Sequence, residues 1–152
     1  MASQKETDEL YMGTAMLYAK LSKAKRAQVG SCLVTKNGVV LGGVNGTPAG
    51  LSNECEDIRW NLEITGSCLV TKPEVIHSEL NCILKAAREG VSCIGATMYV
   101  TLSPCVPCAA MMIQSGVKRL VYKELYRDIS GIELLQRANI IVESHGFTQR
   151  FK

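Results

Sequence analysis

Two short motifs in this chain of 152 residues combine side chains that bind metal ions. Residues 77–79 read His-Ser-Glu, and residues 104–108 read Pro-Cys-Val-Pro-Cys. Each motif is predicted to open a helix, where the partial positive charge lowers the pKa of a thiol and favours its metal-binding form. Because Cys105 and Cys108 are three residues apart, their sulfur atoms lie on one side of a helix. His77 completes a set of three ligands of the kinds that zinc prefers.

Glu79 adds a carboxylate to this set. It lies two residues after His77 and does not share the face of that histidine on a regular helix, which suits a carboxylate beside the metal rather than on it. Three nitrogen or sulfur ligands with one open position are typical of catalytic zinc, whereas structural zinc has four protein ligands. Taken separately, the motifs are weaker. A C-x-x-C pair also fits a redox centre or half of a structural zinc site, and a histidine that opens a helix is often a cap.

Composition limits the classes of protein that remain. Hydrophobic residues make up 47% of the chain and charged residues 20%, which excludes a mainly disordered protein. The length fits one domain over residues 1–152. The net charge of +3 is too mild for a protein that follows a nucleic-acid backbone. No apolar run has the length of a membrane span and the first residues are polar, so we expect a soluble cytoplasmic protein, in the host cytoplasm if the source is viral.

The seven cysteines bear on the redox environment of the chain. An odd number without a predicted export signal argues against a disulfide framework. Besides the two predicted ligands, Cys32, Cys82 and Cys93 lie in or beside apolar runs and are predicted to be buried. Sequence alone leaves the environments of Cys55 and Cys68 open.

Hydrophobic periodicity predicts an alternation of helices and strands. A helix spans residues 8–24, and a hairpin signal, Lys36-Asn37-Gly38, joins two β-prone runs at 29–35 and 39–44. The turn-rich stretch 45–73 contains one short helix, predicted over 56–62. The later predicted elements are a helix at 77–89, a strand at 96–102, a helix at 104–114, a strand at 117–123, a helix at 129–138 and a strand at 140–143. This order predicts an α/β fold of three layers, α/β/α, with a mixed five-stranded sheet between helices on both faces.

Seven residues of the chain occur twice. Residues 30–36 read Gly-Ser-Cys-Leu-Val-Thr-Lys, and residues 66–72 are identical to them. The match stops at both edges, so it does not indicate a repeat architecture. The first copy is predicted to be a core strand, because its hairpin partner follows it. The second lies between a glycine turn and Pro73 and is predicted to be only a short extended segment.

An H-x-E motif followed by P-C-x-x-C is the signature of zinc deaminases. The chain resembles the cytidine deaminase superfamily and, within it, the deoxycytidylate (dCMP) deaminases of the phage type. The resemblance covers most of the chain and is densest over residues 77–122, with further matches at 28–30 and 43–50. Two departures are Val44, where the family usually has an aromatic residue, and Ser78, where it usually has alanine. The resemblance implies a cytidine deaminase-like fold and zinc-dependent hydrolysis of dCMP to dUMP and ammonia, which feeds thymidylate synthesis.

The resemblance assigns catalytic and metal-binding roles to four residues of this chain. Glu79 is expected to be the catalytic proton carrier. His77, Cys105 and Cys108 are expected to bind one Zn²⁺ per subunit.

The resemblance also implies contacts with the nucleotide. Asn45 is expected to hydrogen-bond the sugar or base, Ser78 to lie where the ring is oriented, and Tyr126 to contact the phosphate, although Tyr126 fits a surface aromatic equally well. Arg26 and the neighbouring lysines could hold a phosphate of the substrate or of an effector, or could form a solvated helix end. Arg88 matches a position tied to subunit contacts and regulation, or extends along the surface.

The expected partners follow from the same resemblance. They are dCMP, dCTP as a second substrate or an activator, dTTP as an inhibitor, Mg²⁺ with a nucleoside triphosphate, and further copies of the chain in a homo-oligomer, most simply a hexamer. No membrane or nucleic-acid partner is expected. A nucleic-acid (tRNA) deaminase with the same zinc site is disfavoured because one Trp and two Phe offer few stacking platforms. A non-catalytic zinc protein is disfavoured because Glu79 accompanies an incomplete ligand set.

Overall fold

A computed structural model describes residues 1–61, 63 and 66–146 of the chain. In chain order its elements are α1 (Gln4–Ala19), β1 (Gly30–Val34), β2 (Val40–Val44), β3 (Glu56–Asn61), β4 (Gly66–Thr71), α2 (Ser78–Glu89), β5 (Thr97–Leu102), α3 (Val106–Ser115), β6 (Arg119–Glu124), α4 (Ser130–Arg137) and β7 (Ile141–Ser144). One sheet has the order β2-β1-β5-β6-β7, and β3 pairs with β4 separately. β1 is antiparallel to both β2 and β5, whereas β5, β6 and β7 run parallel. The mixed five-stranded sheet is therefore confirmed.

The two faces of this sheet pack against different helices, because successive side chains of a strand point to opposite sides. One face packs on α1 through Cys32 and Tyr99, which are paired across β1 and β5. The other face packs on α2, α3 and α4 through the alternate positions Leu33, Met98 and Leu120. The three-layer α/β/α arrangement is confirmed. Within the described ranges, every helix is too short or too polar to cross a membrane.

The segment between β2 and α2 differs from the prediction. Residues 56–61, predicted as part of a short helix over 56–62, form β3 and pair antiparallel with β4, while residue 62 lies outside the described part of the chain. β4 contains most of the second seven-residue copy, so that copy is a paired strand rather than only an extended segment. Ile58 lies opposite Leu69 across the hairpin. The helix prediction was wrong because strand formation here depends on a cross-strand partner that local propensity does not reveal.

α1 begins and ends earlier than predicted. Ser3 is its N-cap and forms a capping box with Glu6. The Glu6 backbone N–H donates to Ser3 Oγ (3.3 Å), and the Ser3 N–H donates to Glu6 Oε2 (2.7 Å). The helix ends at Ala19 with Lys20 as C-cap. Residues 23–26, predicted to lie at its charged end, belong instead to the loop that leads into β1.

Asp8 fastens α1 to the sheet. Arg119 of β6 donates to both of its carboxylate oxygens, at 2.8 and 2.7 Å, and the Tyr99 hydroxyl of β5 donates to Oδ1 at 2.7 Å. Arg119 also pairs with Glu143 of β7, so one network joins α1 to three strands. Asp8 and Arg119 have side chains that are 15% and 16% exposed. The hydrogen bonds from Arg119 are the main cause that lowers the pKa of Asp8 from 3.8 to about 2.

We expect Asp8→Asn to lower the free energy of unfolding by roughly 2 kcal/mol at neutral pH, because the variant loses the charge that Arg119 stabilises. The pKa of Asp8 is lower in the folded chain than in the unfolded chain. Its stabilisation is therefore present above about pH 4 and is lost as the pH falls toward about 2. Urea unfolding followed by circular dichroism across this range measures both effects.

A matched control is Asp57→Asn, because the Asp57 side chain is 65% exposed and lies 3.8 Å from Lys72 in a surface pair. We expect this control to change the free energy of unfolding by less than about 1 kcal/mol. Equal losses in the two variants would contradict the role given to the network around Asp8.

Candidate active site

His77 is the N-cap of α2, and its imidazole is not used in capping. Its backbone is extended, with φ −71° and ψ 155°, and its side chain makes no capping hydrogen bond with the helix. Just before it, Ile76 forms an antiparallel bridge with Gly46, with N–H···O distances of 2.8 and 3.0 Å. This bridge brings the loop after β2 beside His77. The alternative that this histidine serves as a side-chain cap is wrong.

The two cysteines of the second motif lie at the start of α3. Cys105 is the N-cap without a capping hydrogen bond from its thiol, and Cys108 follows in the first turn and is buried. Pro107 lies in that turn, where a residue without an N–H loses no helical hydrogen bond. Gly131 of α4 packs directly on this loop, since a Cβ at that position would collide with the Pro104 carbonyl oxygen. The absent side chain therefore lets α4 close against the residues that carry Cys105.

The histidine and the two cysteines meet in space. His77 Nδ1 lies 3.4 Å from both Cys105 Sγ and Cys108 Sγ, and the three atoms lie within 4.8 Å of one another. A tetrahedral zinc ion with Zn–S bonds of about 2.3 Å and Zn–N bonds of about 2.0–2.1 Å needs nitrogen–sulfur separations of about 3.5 Å. Both the spacing and the donor atoms therefore fit a zinc ion with a fourth position left for water. In the described ranges, no other group of His, Cys, Asp or Glu has this arrangement.

The two thiols interact strongly before any metal binds. A hydrogen bond from Cys108 is the main cause that lowers the pKa of Cys105 to about 4, and His77 adds to the effect. The same bond, together with burial, raises the pKa of Cys108. The hydrogen bond with Cys105 also raises the pKa of His77. Zinc binding would release these protons, because zinc binds thiolates and a neutral imidazole.

Glu79 lies beside the cluster in the first turn of α2 and is only 4% exposed. Its Oε2 accepts a hydrogen bond from Ser78 Oγ at 3.1 Å, and Ser78 Oγ in turn bonds Ser31 Oγ of β1. Burial is the main cause that raises the pKa of Glu79, and the nearby His77 acts in the opposite direction. Sequence analysis missed Ser31, because the same seven-residue sequence also surrounds Ser67. Only the packing of β1 against α2 distinguishes the two serines.

Gly43 sets the distance between β2 and α2. A Cβ there would collide with the Ser78 carbonyl oxygen and the Cys82 sulfur, and one at Gly42 would collide with the Tyr18 ring. Both glycines lie within β2, and their missing side chains allow α1 and α2 to pack closely against this strand.

A cavity of about 370 Å³ opens beside the cluster. Its lining combines a buried part, which contains Glu79, with an exposed part, which contains Arg26 and Arg127. It brings together most of the residues predicted for the site, which are Arg26, Asn45, His77, Ser78, Glu79, Cys105 and Tyr126. Cys108 is buried behind this lining and reaches the site through the metal cluster.

Asn45 lines the cavity while it also holds the neighbouring loop. Its Oδ1 accepts from the Val29 N–H, and its Nδ2 donates to the Ala27 carbonyl, both at 2.8 Å. One N–H and one lone pair of the amide remain for a ligand. The side chain predicted to bind sugar or base is thus held in a fixed orientation by the segment that leads into β1.

Three side chains give the exposed part of the cavity its chemistry. Arg26 Nη1 donates to Thr71 Oγ1 at the end of β4, at 3.0 Å. The Tyr126 backbone N–H donates to Ser103 Oγ at 2.7 Å, and the Arg127 guanidinium lies 5.6 Å from the centre of the Tyr126 ring. Sequence analysis missed Arg127, although its position next to Tyr126 was an available signal. Two guanidinium groups and a phenol thus line this cavity, together with the Glu56 carboxylate.

The two lysines that sequence analysis grouped with Arg26 do not line this cavity. Lys23 and Lys25 line a neighbouring cavity of about 360 Å³ together with three carboxylates, Glu54, Glu56 and Asp57. Glu56 Oε1 also accepts from the backbone N–H of Lys25, at 2.8 Å. The acidic side chains offset the charge of the lysines, so this second cavity is not strongly cationic.

Arg88 does not line the cavity beside the metal cluster. Its side chain is 72% exposed and pairs with the neighbouring Glu89 at 2.9 Å.

The cysteines outside the metal cluster agree with the predictions made from the sequence. The three that were predicted to be buried are buried, namely Cys32, Cys82 and Cys93. Of the two whose environments the sequence left open, Cys55 is buried and Cys68 is exposed.

The fold and this site together define a class of protein. A three-layer α/β/α domain carries a His/Cys/Cys cluster at the start of two helices, and a buried glutamate follows the histidine in an H-x-E motif. This is the arrangement of the zinc-dependent deaminases.

Comparison with known proteins specifies the family. The zinc-binding region of cytidine and deoxycytidylate deaminases matches residues 5–124. The chain is 39% identical to the deoxycytidylate deaminase of Enterobacteria phage T4 in an alignment of 145 positions, which covers 74% of this chain and 75% of that protein. The Homo sapiens deoxycytidylate deaminase is 35% identical over 125 residues, which cover 81% of this chain and 68% of that protein. The crystal structure of cyanophage S-TIM5 dCMP deaminase with dCMP and dUMP matches with a TM-score of 0.80 and 39% identity, covering 94% of this chain and 99% of that chain. The chain belongs to the cytidine and deoxycytidylate deaminase family.

We expect the purified protein to contain one zinc ion per chain and Cys105→Ser to lose nearly all of it, because the variant removes one of only three protein ligands. Metal analysis of dialysed protein measures the stoichiometry. Cys68→Ser is the matched control, because Cys68 is an exposed thiol outside the cluster. A full equivalent of zinc in Cys105→Ser would contradict the ligand set.

Proposed function

We propose that the protein is a zinc-dependent deoxycytidylate deaminase that converts dCMP and water into dUMP and ammonia. The observation that carries this proposal is the cavity itself, where a buried glutamate lies beside a fitting zinc cluster and two arginines occupy the exposed part. A neutral pyrimidine base and an anionic phosphate match these two environments. The names of the T4 and human relatives, and the dCMP and dUMP in the S-TIM5 structure, support the same substrate.

In the proposed mechanism, His77 Nδ1, Cys105 Sγ and Cys108 Sγ hold the zinc ion. Bound there, zinc would supply a water of pKa about 7 as the nucleophile for C4 of the cytosine ring. The Glu79 carboxylate takes a proton from this water and delivers it to N3 of the ring. It then carries a second proton, taken from the new hydroxyl at C4, to the amine at C4, so that this oxygen becomes the carbonyl of the product. A C4–O bond forms, the C4–N bond breaks, and the nitrogen leaves as ammonia.

Other lining residues are proposed to hold the nucleotide. The free N–H and lone pair of the Asn45 amide can bind the sugar or base, and backbone groups beside Ser78 and Cys105 can orient the ring. Arg26, Arg127 and the Tyr126 hydroxyl are proposed to bind the 5′-phosphate, because guanidinium groups form charge-assisted hydrogen bonds with phosphate oxygens.

The charges around the site bear on whether the nucleotide carries one phosphate or three. A triphosphate brings further negative charge, which must be matched by more cations or N–H groups or by Mg²⁺. Lys23 and Lys25 are the nearest further cations in the sequence, but they share their cavity with Glu54, Glu56 and Asp57. This charge balance favours the monophosphate as the substrate. dCTP, with Mg²⁺, is retained as a second substrate or an effector for the experiment to separate.

We expect the zinc-loaded protein to release ammonia and form dUMP from dCMP. Glu79→Gln should lower kcat by at least about a thousandfold, because it removes the group that moves both protons, while zinc stays bound. Ammonia release is measured with dCMP alone, with dCTP and Mg²⁺, and with both nucleotides. We expect dCTP alone to be a poor substrate.

Each arm of this experiment has a distinct meaning. Formation of dUTP at a rate similar to that of dUMP would establish dual substrate use. Faster dCMP turnover in the presence of dCTP, without dUTP, would identify an effector. No activity on dCMP in any arm, or full activity in zinc-bound Glu79→Gln, would overturn the proposed function.

We also propose that residues 1–152 form a single deaminase domain and that the chain assembles as a homo-oligomer, with the hexamer that the resemblance implies. Leu10, Leu17 and Leu21, along α1 and just after it, are between 61% and 64% exposed. Such apolar surface in one region is a common feature of protein interfaces. Arg88, exposed at the end of α2, is proposed as an interface or regulatory residue.

Light scattering coupled to gel filtration tests the assembly. We expect a mass near six times the 16.5 kDa of the chain, because apolar side chains in an interface are removed from water. A monomer at the concentrations used for activity measurements would contradict the proposal.

A further inference from the structure

Three buried side chains form a chain of hydrogen bonds that ends on the catalytic carboxylate. Ser31 Oγ bonds Ser78 Oγ, and Ser78 Oγ donates to Glu79 Oε2 at 3.1 Å. Ser31 and Ser78 are completely buried and Glu79 is 4% exposed. Ser78 and Glu79 line the cavity, whereas Ser31 is not among the described residues that do. Ser31 can therefore reach the reaction only through Ser78.

The donors in this chain follow from counting protons. A serine hydroxyl has one proton, and an ionised carboxylate can only accept. Because the Ser78 proton is given to Glu79 Oε2, the bond between the two serines must use the proton of Ser31. Ser31 thus donates to Ser78, and this bond holds Ser78 in the orientation that donates to Glu79.

The strand that carries Ser31 makes this arrangement stiff. β1 lies inside the sheet, and Ser31 is paired with Gly43 of β2 and with Val100 of β5. Gly43 also allows α2 to approach β2 so closely that no side chain fits between them. The hydroxyl of Ser31 is therefore fixed relative to the first turn of α2. A hydrogen bond from a fixed donor orients its partner better than one from a mobile group.

We propose that Ser31 is a positioning residue, which acts through Ser78 to hold Oε2 of Glu79 in place and to leave Oε1 as the oxygen that exchanges protons with water and substrate. This inference rests on the proposed function, since it concerns the carboxylate that carries the protons. It adds Ser31 of β1 to the residues that influence the reaction, and it assigns different roles to the two oxygens of the Glu79 carboxylate. A carboxylate that is free to rotate would present Oε1 correctly for only part of the time.

The test compares Ser31→Ala, Ser78→Ala and the double variant with the unchanged protein. Ser67→Ala is the control, because Ser67 is exposed and lies in an identical seven-residue sequence. We expect Ser31→Ala to lower kcat for dCMP roughly tenfold, the value of one hydrogen bond that orients a charged group, with an unchanged KM. A deoxynucleotide with a hydrated pyrimidine ring mimics the tetrahedral C4 of the reaction intermediate. It should bind to Ser31→Ala roughly tenfold more weakly than to the unchanged protein. Binding of dUMP should not change.

Two further measurements separate positioning from a general structural effect. In the Ser78→Ala background, Ser31→Ala should cause no further loss of kcat, because its only route to Glu79 is already absent. In the zinc-loaded protein, Ser31→Ala and Ser78→Ala should each lower the unfolding midpoint by only about 2–4 °C, the cost of one buried hydrogen bond, so the variants stay folded at the assay temperature and their loss of kcat is not a loss of folded protein. Ser67→Ala should leave kcat and the midpoint unchanged.

Three results would overturn the inference while the proposed function stands. They are an unchanged kcat in Ser31→Ala, a higher KM with unchanged kcat, or an equal loss of kcat from Ser31→Ala whether or not Ser78 is present. Failure of the unchanged, zinc-loaded protein to deaminate dCMP would instead overturn the proposed function and this inference together.

Discussion

The chemistry of this protein depends on the distance between the first residues of two helices. Zinc bonds to nitrogen and sulfur tolerate little change in length, so a zinc ion held by His77 at the start of α2 and by Cys105 and Cys108 at the start of α3 would require these side chains to lie within a few tenths of an ångström of their places. The observed separations of 3.4 Å meet this requirement. Two glycines make them attainable. Gly43 lets α2 lie directly on β2, and Gly131 lets α4 close on the loop before α3. The start of α2 and the loop that leads into α3 are therefore positioned by close backbone contacts, which are stiffer than contacts through side chains.

The same close packing determines the electrostatics of the cavity. Glu79 lies in the first turn of α2, where burial against the sheet raises the pKa of its carboxyl group. Arg26 and Arg127 lie in the exposed part of the same cavity, on loops before β1 and after β6. The buried part therefore holds a carboxyl group with a raised pKa, and the exposed part holds two guanidinium groups. A nucleotide would enter with its base toward Glu79 and its phosphate toward the arginines, because each end then meets a matching environment.

The seven-residue sequence that occurs twice shows how far local sequence can specify structure. Both copies form strands, in agreement with their β-branched content. However, Ser31 of the first copy is completely buried and bonds Ser78, whereas Ser67 of the second is exposed. The difference comes from the neighbours of each strand. β1 lies inside the five-stranded sheet beneath α2, whereas β4 pairs with β3 in a separate two-stranded hairpin.

The sequence by itself determined the class of fold and the centre of the site. Periodicity is a local property, so it predicted the mixed sheet and most helices, and the short spacings around His77 and Cys105 predicted the zinc cluster. Only the tertiary structure decided that 56–61 is a strand, that Arg127 lines the cavity and that Ser31 bonds Ser78. Each of these depends on a partner far away in the chain, such as β4 for the strand and Ser78 for Ser31. Local sequence cannot specify such contacts, because the position of the partner is fixed only when the layers pack together.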